Sequence, residues 1–331
     1  MQFYAGKQVL VTGAGGFIGS HLTEELVRLG AKVRVFLRYN SQNRQGLIEC
    51  LPKDIQGSLD IFWGDLRDPQ SVAKAVSGIR IVFHLGALIG IPYSYLNPLG
   101  VVQTNVVGTA NILNACKDHQ VEKLIHTSSS EVYGTAQYAP INEVHPLQGQ
   151  SPYSATKIGT DTLAESYYRS FALPVAILRP FNTYGPRQST RAIIPTIITQ
   201  ALTRERINLG SLEPRRDFTY VTDIVDAFLR IGRCQDALGQ TINVGSGQEL
   251  SIRDLVKRIS SILKKDVRIE CEPVRVRPKK SEVERLICDN RRAKEILQWE
   301  PKVALDEGLS KTIRWISENL DRFHDIGSYV V

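Results

Sequence analysis

The chain has 331 residues, 42% hydrophobic and 23% charged, an ordinary globular composition for one large domain or two of usual size. Its 41 Lys+Arg against 34 Asp+Glu leave +7, a sign that favours anionic partners such as nucleotides without choosing among them. The 5 cysteines are widely spaced and never in a CxxC pair, so neither a disulfide framework nor a zinc site is expected, and a reducing cytoplasm fits best.

In chain order, the start MQFYAGKQVLVTG has no basic region leading into an apolar core and a small-residue cleavage site. No apolar run has membrane-spanning length either; the longest, IRIVFHLGALIGI, carries His84 and two glycines and reads as a buried strand with the loop after it. The first half alternates short β-branched runs with helical patterns: QVLVTG, a helix over 18–29, KVRVFL, DIFWGD, a helix near 71–76, and IVFHLG. Such alternation signals a parallel sheet wrapped by helices. Asn97 followed by Pro98 is a helix start. KLIHTSS then reads as a strand, TKIGTDTLAESYYRSF as a helix and PVAILRP as a strand. From about residue 181 there is more Arg and Pro, with isolated helices (IIPTIITQAL, DIVDAFLRI, IRDLVKRISSIL and a last one over 310–320) and short strands such as TINVG. The expected architecture is a doubly wound α/β sheet over 1–180 and a smaller α/β substrate domain over 181–331, with segments such as TINVG free to return to the first sheet.

Residues 9–19, VLVTGAGGFIG, place Gly13, Gly16 and Gly19 at three-residue spacing between a strand and a helix, with Phe17 and Ile18 between the last two. Glycines there allow a tight turn, let backbone N–H groups approach a pyrophosphate, and bring helix close to sheet. That is a dinucleotide-binding pattern of Rossmann type. The second strand ends Phe36, Leu37, Arg38, where a carboxylate would hold the ribose of NAD; a basic residue suits the 2′-phosphate of NADP, which is favoured over NAD. The alternative for Arg38 is a solvated surface charge. Asp65, with Leu66 after it, ends the third strand and either accepts from the adenine amine or caps the next turn.

TSSSEVYG at 127–134 precedes SPYSATK, which holds Tyr153 and Lys157 four residues apart. On a helix that spacing puts both on one face, where an ammonium stabilises a tyrosinate. Tyr153 then serves as a base toward a sugar or alcohol hydroxyl, which Ser129 holds.

With TGAGGFIG, GDLRD, TNVVGT, SSSEVYG, YSATK, RPFNTYGPR, RRDFTYV and a late RP with WEP, nearly the whole chain resembles the extended short-chain dehydrogenase/reductases that act on nucleotide sugars. The resemblance implies transient oxidation of a sugar carbon by a bound cofactor, with Ser129, Tyr153 and Lys157 serving that step. It places Asn182 of RPFNTYGP near the substrate pyrophosphate, Arg216 of RRDF on the same phosphates, and Arg277 with Glu282 on a segment closing over the nucleotide, Glu282 toward ribose hydroxyls. Asn105 matches the family's TNVxGT asparagine, with a structural role as the alternative. Arg277 has its own alternative as an exposed charge in the basic stretch RVRPKK.

Family epimerases have small or neutral residues where this chain has Ser130 and Glu131, whereas dehydratases place a carboxylate there. Removing water across carbons 5 and 6 of a hexose needs a base for the carbon 5 proton and an acid for the departing hydroxyl. Ser130 stands where dTDP-glucose dehydratases have an Asp, and the Ser-Glu pair is similar to that of GDP-mannose 4,6-dehydratase. The implied reaction is therefore 4,6-dehydration with Glu131 as base and acid. ALIGIPYSY, SEVYGTAQY, HPLQGQSPYSATK, RPFNTYGPRQS and RPKKSEVERL resemble bacterial dehydratases of the legionaminic and pseudaminic acid pathways, which act on nucleotide-linked N-acetylglucosamine. Inverting members carry an Asp-Lys pair, so Ser-Glu implies retention at carbon 5, with uridine preferred to guanosine as the nucleotide. A 4-epimerase and a catalytically silent NADP(H)-binding module are the rival readings. The resemblance also implies a homodimer through helices beginning near Val101 and Tyr153, and no nucleic-acid or membrane partner is expected.

Overall fold

The computed structural model describes residues 2–323; the last eight residues of the expected 181–331 domain lie outside them. The strands in chain order are β1 (Gln8–Thr12), β2 (Lys32–Arg38), β3 (Asp60–Gly64), β4 (Ile81–His84), β5 (Lys123–Thr127), β6 (Val175–Pro180), β7 (Asn182–Tyr184), β8 (Arg206–Leu209), β9 (Arg215–Tyr220), β10 (Thr241–Val244), β11 (Glu249–Ser251), β12 (Arg268–Cys271) and β13 (Arg285–Leu286). Seven of them form one parallel sheet in the order β10-β6-β5-β4-β1-β2-β3. TINVG does return to it, as the edge strand β10 paired to β6.

Both sheet faces are covered, which explains why the strands are apolar throughout rather than alternating. Val9 and Val11 of β1 share one core with Leu22 of the helix Phe17–Arg28 and Phe228 of the helix Val221–Arg233. Leu10, between them, points to the other face, among Val72, Ile112 and Ala164 of the helices Pro69–Val76, Gly108–Asp118 and Pro152–Phe171. This is a doubly wound α/β sheet.

The sheet order reverses at β1, whose neighbours are β2 and β4, so a crevice opens beyond the carboxyl ends of β1 and β4. The remaining strands build a smaller layer above it: β7, β9, β11 and β13 in one four-stranded sheet, β8 with β12 in a pair. β7 follows β6 directly, and the turn between them hands the chain from one layer to the other.

Helix ends follow their caps. Asn97 Oδ1 accepts from Gly100 N at 3.0 Å ahead of Pro98–Val102. The Ser151 hydroxyl accepts from Ser154 N at 3.1 Å while Ser154 Oγ accepts from Ser151 N at 2.9 Å, a reciprocal cap that starts the helix at Pro152. The N-terminal helix begins at Phe17 rather than 18, and the last long helix spans Leu305–Glu318 rather than 310–320. Among the described residues no helix is long and apolar enough to cross a membrane, and no His/Cys/Asp/Glu group could hold a metal ion.

Candidate active site

Three neighbouring cavities line up along the crevice. The first, about 360 Å3, is bordered by Gly13, Gly16, Arg38, Asp65 and Leu66. The second, about 440 Å3, is bordered by Gly13, Gly16, Phe17, Ile18, Gly19, Ser129, Ser130, Glu131, Tyr153, Lys157 and Asn182. The third, about 280 Å3, is bordered by Glu131, Asn182, Arg216, Arg277 and Glu282. Shared residues join them: Gly13 and Gly16 between the first two, Glu131 and Asn182 between the last two.

The glycine turn has the shape its sequence requires. Gly13 is left-handed at φ +71°, and a Cβ there would come to 2.8 Å from Gly86 N in the loop after β4. A Cβ on Gly19 would overlap the Gly13 carbonyl oxygen, so the helix packs against the turn only with glycine there. Gly16 sits at the helix N-cap with no side-chain cap, so its N-terminal N–H groups face the cleft shared by the first two cavities. This cradle fits a dinucleotide pyrophosphate.

At the far end of the first cavity, Arg38 closes β2 and Arg44 lies nearby, paired with Glu49 at 3.5 Å. Asp65 Oδ1 accepts from Arg67 N at 2.9 Å and its Oδ2 from Arg67 Nη2 at 2.6 Å. The Arg67 hydrogen bond holds this carboxyl below the usual range. Asp65 therefore both braces its own turn and borders the cavity. Arg44 was not legible in the sequence, because the loop that brings it there has no motif.

Asn105 is buried in a π-helical turn, Gln103–Val107, and does not border any of the three cavities. Its Oδ1 accepts from Leu88 N at 2.8 Å, and its Nδ2 donates to Leu88 O and Thr156 Oγ1, both at 3.0 Å. It ties the loop after β4, which borders the first cavity, to the helix that carries Tyr153 and Lys157. These bonds fit the structural alternative for Asn105.

The middle cavity holds the candidate catalytic residues. Ser129 follows β5, and its Oγ accepts from Glu131 N at 3.2 Å, capping the helical turn Ser130–Tyr133 in which Glu131 borders the cavity. Ser130 is buried beside them. Tyr153 occupies the first turn of its helix and Lys157 the next, and both are nearly inaccessible. Lys157 Nζ donates to the Thr127 carbonyl at 2.9 Å. Burial pulls the Lys157 ammonium down to about 8, against the pull of Asp161. Burial pushes the Tyr153 hydroxyl well up; the Ser129 hydroxyl opposes this, while the carboxylates of Glu131 and Asp161 add to it.

Basic groups dominate the third cavity. Arg216 Nη2 donates to Glu282 Oε1 at 3.2 Å, and the same oxygen faces Arg277 Nη1 at 3.7 Å. Glu282 is thus engaged with two guanidiniums, an arrangement the sequence did not reveal. Arg277 is only partly exposed, so it is not the free surface charge that RVRPKK alone permitted. Asn182 Nδ2 and Gln188 Oε1 are buried without hydrogen-bond partners, as is Arg277 Nη1. Such groups are costly unless something polar satisfies them; the two nitrogens suit phosphate or sugar oxygens, and the Gln188 oxygen suits a donor such as a sugar hydroxyl. Arg191 and Gln188 also border this cavity and were missed: Arg191 belongs to no distinctive motif, and Gln188 lies in RPFNTYGPRQS without a role of its own.

The chain is similar to known proteins along nearly its whole length. Residues 10–312 match the family model described as GDP-mannose 4,6 dehydratase. The chain is 35% identical to a UDP-glucose 4-epimerase of Mycolicibacterium smegmatis, over 93% of this chain and 98% of that one. It superposes with a TM-score of 0.86 on dTDP-glucose 4,6-dehydratase from Streptomyces venezuelae, a structure with NAD bound, at 29% identity over 96% of this chain and 99% of that one. An NAD-dependent NDP-hexosamine 5,6-dehydratase of tunicamycin biosynthesis superposes with a TM-score of 0.84, at 29% identity over 97% and 100% of the two chains. The cofactor named for both solved structures is NAD, so the NADP preference expected from Arg38 finds no support among them. The chain belongs to the extended short-chain dehydrogenase/reductase family of NAD-dependent nucleotide-sugar dehydratases and epimerases.

Proposed function

We propose that the protein is a nucleotide-sugar 4,6-dehydratase that converts UDP-N-acetylglucosamine, or a GDP-linked equivalent, to the 4-keto-6-deoxy sugar with retention at carbon 5. The observation that carries this reading is the position of Glu131, which borders both the cavity of Ser129, Tyr153 and Lys157 and the cavity of Arg216 and Arg277. A carboxylate there faces a bound sugar rather than solvent. An epimerase has no use for it.

A bound nicotinamide dinucleotide supplies the chemistry of accepting hydride from carbon 4 and returning it at carbon 6, and its oxidised ring adds a positive charge that favours tyrosinate. Tyr153 takes the proton of the 4-hydroxyl, Ser129 holds that oxygen, and Lys157 stabilises the negative tyrosine oxygen. The ketone at carbon 4 acidifies the carbon 5 proton, which Glu131 removes. Glu131 then gives that proton to the departing 6-hydroxyl, so that water leaves, and a solvent-derived proton passed through Glu131 returns to the same face of carbon 5 as carbon 6 is reduced, while Tyr153 releases its proton to solvent. Arg216 and Arg277 hold the pyrophosphate, Asn182 hydrogen-bonds its oxygens, and Glu282 turns to the ribose when phosphate takes over the guanidiniums.

Because epimerases stand among the relatives, 4-epimerisation is the second reading. Incubation with UDP-N-acetylglucosamine separates the two: a product lighter by one water supports dehydration, and a mass-neutral 4-epimer as sole product defeats it. Absence of turnover with UDP- and GDP-linked sugars would favour a silent NADP(H)-binding module. NADP remains our choice of cofactor on the strength of Arg38 and the lack of an acid at the end of β2. A cytoplasmic homodimer is the accompanying reading, supported by Leu99, Val107, Tyr168 and Phe171, exposed on the two helical segments expected to pair.

A further inference from the structure

The helix Pro152–Phe171 continues the spacing of Tyr153 and Lys157 to a third ionisable residue, Asp161, four residues on and 2% exposed. The reaction proposed above leaves it unused. Asp161 Oδ2 accepts from Ser128 Oγ at 2.6 Å and from Arg179 Nε at 2.9 Å, with Arg179 Nη2 at 2.8 Å. Its Oδ1 has no hydrogen bond and faces His126 Nε2 at 3.3 Å. Arg179 continues the chain outward, donating to the Tyr133 hydroxyl at 2.9 Å, which donates to Asn243 Oδ1 at 2.7 Å.

Charge balance in this interior is tight. Lys157 and Arg179 are both buried cations; Asp161 pairs with Arg179 at 2.8 Å and stands one helical turn from Lys157, whose Nζ holds the carbonyl of Thr127, next to the Ser128 that donates to Asp161. His126 on β5 and His84 on β4 also face Lys157, and burial holds both imidazoles below their usual range, hence neutral. Tyr153 stands one turn back on the same helix, and Glu131 borders the same cavity. Of these groups, Asp161 is the one that favours the Lys157 ammonium against the cost of burial. If the Asp161 charge were removed, two buried cations would remain. Arginine does not release its proton in a protein, whereas a buried lysine does. The group that yields is therefore Lys157.

We infer that Asp161 is a positioning residue of the active site, whose carboxylate keeps the Lys157 ammonium charged beneath Tyr153 while Arg179 and Ser128 fix that carboxylate in place. The inference rests on the reading of Tyr153 and Lys157 as the oxidising pair. It explains why a full ion pair and its hydrogen-bond chain are buried behind the site, where an apolar core would be at least as stable.

The test is a titration of Lys157 in the full chain, followed through the 13Cε resonance of labelled lysine and assigned by its loss in Lys157→Met. Asp161→Asn is expected to lower the midpoint by about one pH unit or more, and to move the alkaline limb of nucleotide-sugar turnover with it. Asp161→Glu should restore both. An unchanged midpoint in folded Asp161→Asn overturns the inference. If that variant does not fold, Arg179→Gln is compared with Asp161→Asn/Arg179→Gln, which removes both buried charges. A midpoint higher in the single variant supports the inference, and equal midpoints overturn it. A shifted midpoint with an unmoved turnover limb overturns the catalytic reading of Lys157, while the charge pairing stands.

Discussion

Arg216 and Glu282 meet at 3.2 Å across the third cavity, with Arg277 3.7 Å from the same carboxylate oxygen. Burial pulls the Arg216 guanidinium below its ordinary range, against the raising influence of Glu131 and Glu282, so this is a cation short of solvation. A pyrophosphate offers what it lacks. Charge-assisted hydrogen bonds are worth about 1.5–3 kcal/mol each, so Arg216→Gln is expected to raise KM for the nucleotide sugar by about 10–100-fold. Calorimetry of the free nucleoside diphosphate checks it, and an unchanged affinity would remove Arg216 from the phosphate site.

Glu131→Gln keeps the shape and removes the charge of the residue on which dehydration depends. Loss of a general base costs about 100–10,000-fold in rate. Water loss should fall by that factor, as should incorporation of deuterium at carbon 5 in heavy water, while substrate binding persists. Undiminished dehydration would acquit Glu131 as the base.

Lys157 sets an alkaline limit. With its ammonium held down to about 8 from 10.5, the charged form is present below that pH and is lost as pH rises through it. Turnover that depends on the charge should therefore fall above about 8. The stability effect has the opposite sense: between about 8 and 10.5 the unfolded chain binds more protons than the folded one, so the Lys157 contribution to stability rises with pH across that window. Comparing urea unfolding of the wild type and Lys157→Met across it checks the sign.

Asn105→Ala removes three buried hydrogen bonds, two to Leu88 and one to Thr156. Leaving such groups unsatisfied costs about 1–3 kcal/mol. A lower Tm with weakened cofactor binding is expected, since Leu88 borders the first cavity. An unchanged Tm would contradict the structural role.

Arg38→Ala addresses the cofactor. If Arg38 meets a 2′-phosphate, the variant should lose about tenfold or more in affinity for NADP and little for NAD, read by fluorescence titration of the reduced forms. Equal effects on the two would leave Arg38 a solvated charge and the protein an NAD enzyme like its solved relatives.

Much of this molecule was readable in the residues themselves. The glycine turn, the strand-helix alternation and the Tyr153–Lys157 spacing are local: each is encoded within a few residues, where backbone geometry alone decides what fits. The Asn97 cap is of the same kind. Helix boundaries slipped by one to five residues, because amphipathic periodicity does not mark ends: Gly16 and Ala304 offer no side-chain cap, and the caps Asp68 and Ser151 stand ahead of the apolar pattern.

Other relationships belong to the tertiary structure. The return of β10 to the first sheet and the convergence of Arg216 with Arg277 and Glu282 join segments far apart in the chain, and the pairing of Asp161 with Arg179 joins a helix to the strand after it; spacing carries no record of such meetings. The chemistry offered by Tyr153, Lys157 and Glu131 was already present in their side chains. Folding decided their solvation and their neighbours.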